Sequence, residues 1–376
     1  MQICICRIRV EYRTIEEWCE ILDSQRIPIT SKDRIEGPYP YYGANGIQDY
    51  VNDYIFDDEL VLLAEDGGNF GSKERPIAYR VSGKCWVNNH AHVLKPKSDL
   101  DVDYLCYSLM FYNTNGLVNG ATRQKLTQST MRKMKIPYLE INKQKEIVKK
   151  VKKIESILND LNGQLDLLDE LVKARFVEMF GDPVINSHQL PVQPMTEICD
   201  IIDGDRGKNY PKAEDFFDTG YCLFLNAKNV TQKGFDFDIC NFITREKDEA
   251  LRKGKLSRGD VILTTRGTVG NLAYYSEDVP YENIRINSGM VILRMDRSVL
   301  NEIYFIELFK MKLSDIKEKI ASGSAQPQLP ISTMNKIILI ISPLELQNQF
   351  ASFVQEVDKS RLLNNHLLFL LKSITF

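Results

Sequence analysis

The sequence predicts an α+β protein in which two related globular units are joined by two long helices packed as a coiled coil. Three observations support this fold class: a length of 376 residues, a long motif that occurs twice, and a heptad pattern after each copy. At about 150 residues per domain, the length alone leads us to expect two or three domains. The composition, 43% hydrophobic and 26% charged, is typical of a globular chain and excludes bulk disorder.

An internal repeat organises the chain. The segment GATRQKLTQSTM at 120–131 returns as GSAQPQLPISTM at 323–334, an offset of 203, with Gly, Leu, Ser, Thr and Met in register. Weaker upstream similarities at offsets of 180 to 200 extend the match, which predicts two long copies of one unit and not a solenoid of short repeats. The further aligned pairs are Gln144 with Gln347, 20–26 with 200–206, and 59–69 with 259–269, and Asn88 falls near Asn287.

A long helix is predicted after each copy. The first begins after Pro137 and is stopped by Gly181; a helix over about 143–179 would be roughly 55 Å long at 1.5 Å per residue. Its apolar residues follow an unbroken 4-3 spacing, and a narrow seam of this kind favours a coiled-coil partner, most simply the second helix. The second helix is shorter and has Arg361 and Asn364 in its seam, so we expect a pair of unequal length. The alternative is that each helix only covers its own globular unit. The predicted seam residues are Ile147, Val151, Ile154, Leu158, Leu161, Leu165, Leu168 and Val172 in the first helix and Phe350, Val354, Val357, Leu368 and Leu371 in the second.

The globular parts mix short strands and loops. Apolar runs at 60–64 and 260–265 predict buried strands, and 284–287 with 289–295 predict a strand pair with a turn at Asn287. The aromatic, Gly-rich segment 39–46 is a loop by composition. Regular β-α-β alternation is missing from the pattern, so a doubly wound sheet is not expected.

Motifs of common catalytic chemistry are missing from the sequence. It contains no phosphate-binding P-loop, no dinucleotide-binding G-x-G-x-x-G, no H-E-x-x-H and no amino-methyltransferase N-P-P-Y/F segment. Only four histidines are available, and His90 with His92 is a weak metal signal, so we predict no metal site and no cofactor. The sequence therefore favours a binding function over an enzymatic one.

Membrane insertion and secretion are also not expected. No apolar run approaches about 18 residues, and the first ten residues are too short and too basic for a signal peptide. Eight cysteines without a C-x-x-C pair indicate reduced thiols and a cytoplasmic protein.

Polar and aromatic loops recur in both copies and are the candidate DNA-binding sites. Asn and Gln can bond adenine at two points, Arg and Lys can bond guanine, and Gly lets backbone N–H groups approach phosphates. The alternative is that Asn, Gly and Asp serve only as turn residues. The candidates are Tyr39, Tyr41, Tyr42, Asn45, Asn69, Asn88, Asn89, His90, Arg123, Gln124 and Lys125 in the first copy, and Arg206, Lys208, Asn209, Tyr210, Asn226, Lys228, Asn229, Thr265, Arg266, Thr268, Arg285, Asn287, Gln326 and Gln328 in the second.

The charge is nearly balanced over the chain but uneven locally. The net charge of −3 argues mildly against a nucleic-acid binder, which is usually basic. Residues 120–155, however, hold eleven Lys and Arg against three Glu, an excess that suits a polyanion. The alternative is an ordinary solvated start of a helix.

These motifs resemble those of the DNA specificity subunit of type I restriction–modification enzymes. The resemblance covers nearly the whole chain and implies two target-recognition domains joined by two long helices packed as an antiparallel coiled coil, a pseudo-two-fold internal repeat. Each domain would read one half of a split double-stranded DNA site, with the helices as a spacer. The motifs are GPYPYYGANG at 37–46, EDGGN at 65–69, WVNNHAHVLKP at 86–96, KLSRGDVILTTRGTVGN at 255–271, and the paired Gly…Leu…Ser-Thr-Met segments.

The resemblance also implies partners and boundaries. Such a subunit has no catalytic centre; it docks two methyltransferase subunits, which use S-adenosylmethionine, and through them motor-nuclease subunits, which use ATP. A part of a fused restriction–methylation enzyme, or a coiled-coil adaptor without DNA contact, are the alternatives. The expected boundaries are 1–138 for the first recognition domain, 139–182 for the first spacer helix, 183–342 for the second recognition domain and 343–376 for the second spacer helix.

Overall fold

The computed structural model describes residues 10–120, 123–321 and 328–375. It divides into two compact units, unit 1 (Met1–Asn159) and unit 2 (Asp160–Phe376). The candidate Gln326 lies outside the described residues, as does the N-terminal segment 1–9. In the part of the chain that is described, no helix is both long and apolar enough to cross a membrane.

Unit 1 is built around a mixed sheet with strand order β2-β7-β5-β6-β3-β4, in which β3 and β6 run parallel and the other neighbours antiparallel. A separate two-stranded sheet pairs β1 with β8. The strands are β1 (Tyr12–Thr14), β2 (Cys19–Ile21), β3 (Tyr39–Gly43), β4 (Gly46–Val51), β5 (Phe56–Ala64), β6 (Ala78–Val87), β7 (Ala91–Pro96) and β8 (Lys135–Pro137), and the helices are α1 (Ile15–Trp18), α2 (Val102–Met110), α3 (Gln128–Arg132) and the first half of α4 (Ile141–Phe180).

Unit 2 divides its strands among a sheet of order β10-β18-β15-β16, a sheet of order β14-β11-β17, and two two-stranded ribbons, β12-β13 and β9-β19. The strands are β9 (Val192–Pro194), β10 (Cys199–Asp203), β11 (Cys222–Leu225), β12 (Val230–Thr231), β13 (Gly234–Phe235), β14 (Phe242–Ile243), β15 (Val261–Thr264), β16 (Leu272–Tyr274), β17 (Ile284–Ile286), β18 (Met290–Met295) and β19 (Ile338–Ile340), and the helices are α5 (Met195–Ile198), α6 (Arg245–Ala250), α7 (Glu302–Ala321), α8 (Ile331–Met334) and α9 (Leu344–Thr375), with the second half of α4.

The two units share one framework, as the repeat predicts. In unit 1, β5 pairs with both β6 and β7, and β7 pairs with β2. In unit 2, β15 pairs with β16 and β18, and β18 pairs with β10 in the same antiparallel sense. The ribbon β1-β8 corresponds to β9-β19. The α+β class is therefore confirmed, and the buried strands predicted at 60–64 and 260–265 are present as β5 and β15.

Two local predictions were wrong. The segment 39–46 is not a loop: Tyr39–Gly43 forms β3, which pairs with β4, and only the turn to Gly46 is irregular. Aromatic side chains favour strands when one face can be buried, and Tyr41 is buried here. The strands at 284–286 and 290–295 exist but do not pair with each other, because β17 joins β11 and β18 joins β10 and β15.

A buried glutamine fastens the long helix of unit 1 to its globular part. Gln144, in the first turn of α4, accepts a hydrogen bond from Asp101 N (2.8 Å) and donates to Asp99 O (2.9 Å) and Leu139 O (2.7 Å). Asp101 itself is the N-cap of α2. One fully buried side chain thus joins the start of α4 to the start of α2 and to the segments that precede these two helices.

Gln347 repeats this arrangement in unit 2. It accepts from Asn301 N (2.8 Å) and donates to Val299 O (3.0 Å) and Ser342 O (2.7 Å) at the start of α9. The side chain of Asn301 accepts from Ile303 N (2.9 Å) and so caps α7. The sequence alignment of the two glutamines is therefore an alignment of two identical clamps.

Within unit 2, the second half of α4 packs antiparallel against α9. Phe176 and Phe180 contact Phe350 near the start of α9, with ring centroids 5.4 and 5.6 Å apart, whereas Asn364, further along α9, reaches back to Gln164. Of the predicted seam, Leu161, Val172, Val354, Val357 and Leu368 are also buried, and Leu165, Leu168 and Leu371 are half-buried. The coiled-coil prediction is confirmed for this stretch.

The polar seam residues form contacts across this helix pair. Arg361 bonds Asp169 Oδ1 of α4 (2.6 Å) as well as Asp358 Oδ1 of its own helix (2.6 Å), and Asn364 Nδ2 donates to Gln164 Oε1 of α4 (3.3 Å). Paired polar groups in a helix seam restrict the register in which two helices can fit. The irregularity of the second seam is thus an asymmetric polar section, not a break in the packing.

The first turns of α4 do not bury the residues that the heptad pattern predicts. Ile147 was predicted as a seam residue but is exposed, while its neighbour Val148 is buried in the core of unit 1. The reason is that these turns pack on the globular part of unit 1, and the orientation that buries Gln144 also buries a residue four positions later. The seam residues that follow in unit 1, Val151, Ile154 and Leu158, are half-buried.

Removal of the clamp should destabilise unit 1. We expect Gln144→Ala to lower its free energy of unfolding by about 2–4 kcal/mol, because the substitution leaves buried backbone groups without partners. Both tryptophans, Trp18 and Trp86, lie in unit 1, so the urea transition followed by tryptophan fluorescence reports on this unit. Gln355→Ala, a change at an exposed position of α9, is the matched control and should leave that transition in place. Equal midpoints for Gln144→Ala and the wild type would contradict a structural role.

Candidate functional site

Three backbone segments meet at one end of the main sheet of unit 1, and we call them platform 1: residues 65–67, 88–90 and 124–126. Leu126 N donates to Glu65 O (2.7 Å) and Gly67 N to Gln124 O (3.0 Å), so the first and third segments pair antiparallel. Glu65 N donates to His90 O (2.8 Å), which joins the second segment. Two sequence motifs far apart in the chain, at 59–69 and 120–131, are thereby brought side by side.

Unit 2 contains the same arrangement, platform 2, at residues 265–267, 287–289 and 328–329. Leu329 N donates to Thr265 O (3.0 Å), and Thr265 N donates to Gly289 O (2.8 Å). The sequence placed Asn88 near Asn287, and the structure shows that the two are equivalent, because each side chain accepts a hydrogen bond from the backbone two residues later, His90 N (2.8 Å) and Gly289 N (2.9 Å).

The side chains at equivalent platform positions differ. In platform 1, Asp66 stands opposite Lys125 across the paired backbone segments, and its Oδ1 bonds Arg123 (2.7 Å) and His90 (2.7 Å). In platform 2, Arg266 stands opposite Gln328, and both side chains are exposed. The frameworks agree while the chemistry offered to a ligand does not.

A network of charged groups lies beneath platform 1. His92 is fully buried, with Nδ1 2.6 Å from Asp23 Oδ2 and Nε2 2.9 Å from Leu126 O. Arg26 pairs with Glu65 (2.7 Å), and Lys125 pairs with the other Glu65 oxygen (3.0 Å). The network holds the first and third segments of platform 1 against the sheet.

The carboxyl groups of this network are held in their charged form. Burial alone would raise the pKa of Asp23, but hydrogen bonds from His92, Val93 and Gln128 outweigh it and the pKa lies below its usual value. Burial likewise opposes ionisation of Glu65, and bonds from Arg26 and Lys125 lower its pKa.

Asp23, Glu65 and His92 have the ligand types of a metal site, with donor atoms within 4.8 Å of one another. Two cations already balance the two carboxylates of this cluster: the Arg26 guanidinium lies 2.7 Å from Glu65 and 3.5 Å from Asp23, and Lys125 lies 3.0 Å from Glu65. We therefore interpret the cluster as a charge network, and the absence of a metal stays a prediction.

In unit 2 the equivalent place is a cleft of about 240 Å³. By the alignment of platform segments, Thr265 replaces Glu65 and Val291 replaces His92, so the buried charges are missing there. Arg206 bonds Asp203 Oδ1 (3.1 Å) and Ser288 O (3.2 Å) instead of reaching into the fold. The lining residues include Asp203, Arg206, Thr265, Arg266, Val291 and Gln328.

The structure brings part of the candidate DNA-binding set to the platforms. Asn45 donates to Gly67 O (3.0 Å) and so borders platform 1, and Tyr210 accepts from Ser288 N (3.4 Å) beside platform 2. The candidates at the platforms are Asn45, Asn88, Asn89, His90, Arg123, Gln124 and Lys125 in unit 1, and Arg206, Tyr210, Thr265, Arg266, Thr268, Asn287 and Gln328 in unit 2.

Several candidates are committed to the fold and need correction. Arg285 is buried and pairs with Asp248 while donating to Lys253 O (2.8 Å), so its charge is satisfied inside unit 2. Asn229 is buried and supports a loop through Asp236 O (3.0 Å) and Ile239 O (2.8 Å). We remove these two from the candidate contacts.

Other candidates have structural roles of the same kind. Tyr41 is buried and exchanges hydrogen bonds with the backbone of Ile29, Asn88 is buried with its Nδ2 on Gln48 Oε1 (3.1 Å), and Thr265 is buried with its hydroxyl on Gly289 O (3.0 Å). These three side chains support the surface from below and are not exposed on it. The carbonyl oxygen of Tyr42 accepts a hydrogen bond from Asn88 N (3.0 Å), so the backbone of Tyr42 borders platform 1. The remaining candidates show none of the platform hydrogen bonds among the described residues: Tyr39, Asn69, Lys208, Asn209, Asn226 and Lys228.

Sequence reasoning missed Asp66, which lies in a candidate loop but was not selected. It also missed Asp23, Arg26 and Glu65, whose roles depend on burial. The signal for Asp66 was available, since the alignment of 59–69 with 259–269 places Asp66 on Arg266, a candidate of opposite charge.

Comparison with known proteins agrees with the repeat. A family model described as the type I restriction modification DNA specificity domain matches residues 8–168 and again residues 192–372. A Haemophilus influenzae protein described as a type I restriction enzyme specificity subunit is 28% identical over 361 residues, which cover 95% of this chain and 89% of that protein. The MjaIX specificity subunit of Methanocaldococcus jannaschii is 24% identical over 366 residues, 92% of this chain and 83% of that protein.

A solved structure shares the fold. The crystal structure of the type I restriction–modification system S subunit from M. genitalium matches with a TM-score of 0.56 at 17% identity, covering 98% of this chain and 95% of that one. At this identity the match supports the architecture alone.

Acid should weaken unit 1 through Asp23. Because the folded-state pKa of Asp23 lies below its usual 3.8, the carboxylate stabilises the fold above that pH, and the contribution is lost as the pH falls through the folded-state value. We expect Asp23→Asn to lower the urea midpoint at neutral pH and to flatten the further loss below about pH 4, followed by tryptophan fluorescence. Asp53→Asn, at an exposed position, is the control. Parallel pH profiles for Asp23→Asn and the wild type would count against this role.

Proposed function

The chain belongs to the type I restriction–modification DNA specificity family, and we propose that each of its two platforms reads one half of a bipartite DNA site. One observation carries the proposal: two backbone frameworks with the same hydrogen bonds present different side chains, Asp66 and Lys125 in one and Arg266 and Gln328 in the other. A shared framework can approach DNA in the same way twice, and different side chains then select different bases.

We propose the domain boundaries expected from the sequence. Residues 1–138 and 183–342 are the recognition domains, and 139–182 and 343–376 are the spacer helices that set the gap between half-sites. The clamps support these boundaries, because Gln144 and Gln347 mark where each helix leaves its globular part. A helix fixed in this way passes the orientation of its domain to the spacer.

Membership of the family implies DNA and methyltransferase partners, and we propose two methyltransferase subunits, with motor-nuclease subunits joining through them. The exposed apolar surface of α9 supports a protein partner, since Leu362, Leu363 and Phe369 are each at least 60% exposed. An apolar surface of this kind on a helix favours contact with another protein. The chain itself is proposed to have no catalytic centre and to act in the cytoplasm.

Contacts with the DNA backbone have a candidate in the first half of α4. Lys145, Lys149 and Lys153 recur every four residues, so they form one stripe along the helix, and all three are exposed. Their neighbours are already paired: Lys150 and Lys143 with Glu146, and Lys152 with Asp103. The stripe is the part of the basic segment 120–155 that is best placed to meet phosphates.

Methylation mapping tests the proposed function. In strains with and without the gene, we expect the gene to add methylation at sites that share two short sequence blocks separated by a constant gap. Gel shifts of the reconstituted methyltransferase should then lose affinity when either block is scrambled or the gap is changed by a few base pairs. Uniform, salt-sensitive binding to all these duplexes would overturn the proposal.

Substitution of the lysine stripe separates a DNA-binding role from that of an adaptor without DNA contact. The triple variant Lys145→Ala, Lys149→Ala, Lys153→Ala in the reconstituted complex should weaken binding to all duplexes alike and reduce the slope of log K against log salt by up to about 1 per lost contact. Lys310→Ala with Lys359→Ala, at positions paired with Glu307 and Glu356, controls for the loss of positive charge. An unchanged slope in the triple variant would remove the stripe from the interface.

A further inference from the structure

The two platforms agree in backbone and differ in charge at one pair of equivalent positions. Asp66 N and Arg266 N both approach the carbonyl of the second segment, at 3.4 Å from His90 O and 3.2 Å from Gly289 O. Each residue also forms an antiparallel bridge with the third segment, Asp66 with Lys125 and Arg266 with Gln328. Positions 66 and 266 therefore occupy the same place in the framework, and the charge there is inverted.

The neighbours of Asp66 prepare it to meet DNA. A bare carboxylate would be repelled by phosphates, but Asp66 is contacted by Arg123 and His90, both through its Oδ1 atom. The Arg123 side chain, which pairs with Asp66, is 60% exposed, and that of Lys125, the residue opposite Asp66, is 50% exposed, so the Asp66 carboxylate has exposed cations as neighbours. Charge neutralisation leaves a hydrogen-bond acceptor that can approach a base edge.

Arg266 presents the opposite chemistry. Its side chain is exposed at the rim of the cleft that also contains Arg206 and Gln328. The residue that follows, Gly267, has a φ of 75°, a backbone conformation that favours glycine. Apart from its two chain neighbours, no described residue has an atom within 4 Å of the place where a Cβ of residue 267 would stand, so the surface beside Arg266 is open to a ligand. A planar guanidinium presents two parallel donors, which match the O6 and N7 acceptors of guanine.

We propose that residues 66 and 266 are equivalent specificity-determining positions: Arg266 selects guanine in one half-site, and Asp66 selects a base with an exocyclic amino group, cytosine or adenine, in the other. The inference rests on the proposed function and adds the chemical class of base that each platform takes. Carboxylates accept from amino groups at the edges of bases, and guanine offers only acceptors in the major groove. The inversion of charge thus makes the two half-sites differ.

The buried network explains why the two platforms can differ without a change of fold. Glu65 in platform 1 is held by Arg26 and Lys125, whereas the equivalent Thr265 of platform 2 needs no cation. Lys125 is therefore tied to Glu65 in unit 1, and Gln328, its counterpart in unit 2, has no such ion pair.

Selection from a randomised duplex library tests the inference. The methyltransferase reconstituted with the wild-type chain should select guanine at one position of one half-site and cytosine or adenine at one position of the other. Arg266→Gln should relax the guanine preference by roughly 5- to 150-fold and leave the other half-site unchanged, the range expected for loss of one bidentate base contact. Asp66→Asn should relax only the other half-site.

A charge-reversed variant distinguishes base reading from a structural role. Arg266→Asp should shift the selected base at its position from guanine toward cytosine or adenine, which a loss of folding cannot produce. Asp238→Asn, an exposed carboxyl change in unit 2 away from platform 2, should leave both half-sites as they are. Circular dichroism of each purified variant verifies that its fold is retained.

Two results would overturn the inference while the proposed function stands. One is a bipartite site whose selection survives all platform variants, and the other is guanine selection by both units, in which case Asp66 only positions Arg123. If the wild-type complex selects no bipartite site at all, the proposed function itself has failed.

Discussion

The attachment of each long helix to its globular part depends on one buried glutamine. Gln144 and Gln347 each satisfy three backbone groups and leave no polar atom of their own unpaired. A helix attached only by apolar contacts could rotate or slide at modest cost, whereas a buried amide with directional bonds allows one orientation. That orientation decides which face of α4 meets the core of unit 1, and it explains why Val148 is buried where the heptad pattern pointed to Ile147.

The two platforms share one backbone arrangement, whereas their side chains differ. Backbone hydrogen bonds hold positions 66 and 266 in equivalent places, so a change of side chain there changes the group presented at the surface without removing the bonds that fold the segment. The layer beneath must still compensate. In unit 1 the charges of Glu65 and Asp23 require Arg26 and His92, and in unit 2 the uncharged Thr265 leaves a cleft. A fold built this way can diverge at its binding surface one charge pair at a time.

The sequence was sufficient for the architecture and for the location of the platforms. The offset of 203 aligned the two glutamine clamps, and the offset of 200 aligned Asp66 with Arg266. Both pairs could be aligned because each residue occupies a local backbone arrangement that is repeated in the two units. The sequence did not show which polar residues are exposed and which are buried. Arg285 and Asn229 are residue types that can contact bases, but both are buried. Arg285 pairs with Asp248, and Asn229 bonds the backbone of the 236–239 loop. Burial of a polar side chain depends on whether tertiary neighbours satisfy it, and a local pattern carries no such information.

Ion pairs within the fold bear on how the nearly neutral chain can attract DNA. Many of its cations are bound within the fold, such as Arg26 on Glu65, Arg285 on Asp248 and Arg294 on Asp260. Those cations contribute little to attraction at a distance, and the lysine stripe and the platforms add exposed cations such as Lys145, Lys149 and Arg266. Non-specific affinity for DNA grows with the number of phosphates neutralised, while specificity grows with base contacts. On the proposed function, a chain of nearly neutral net charge that presents base-reading side chains is therefore suited to discriminate between sequences more than to bind all of them tightly.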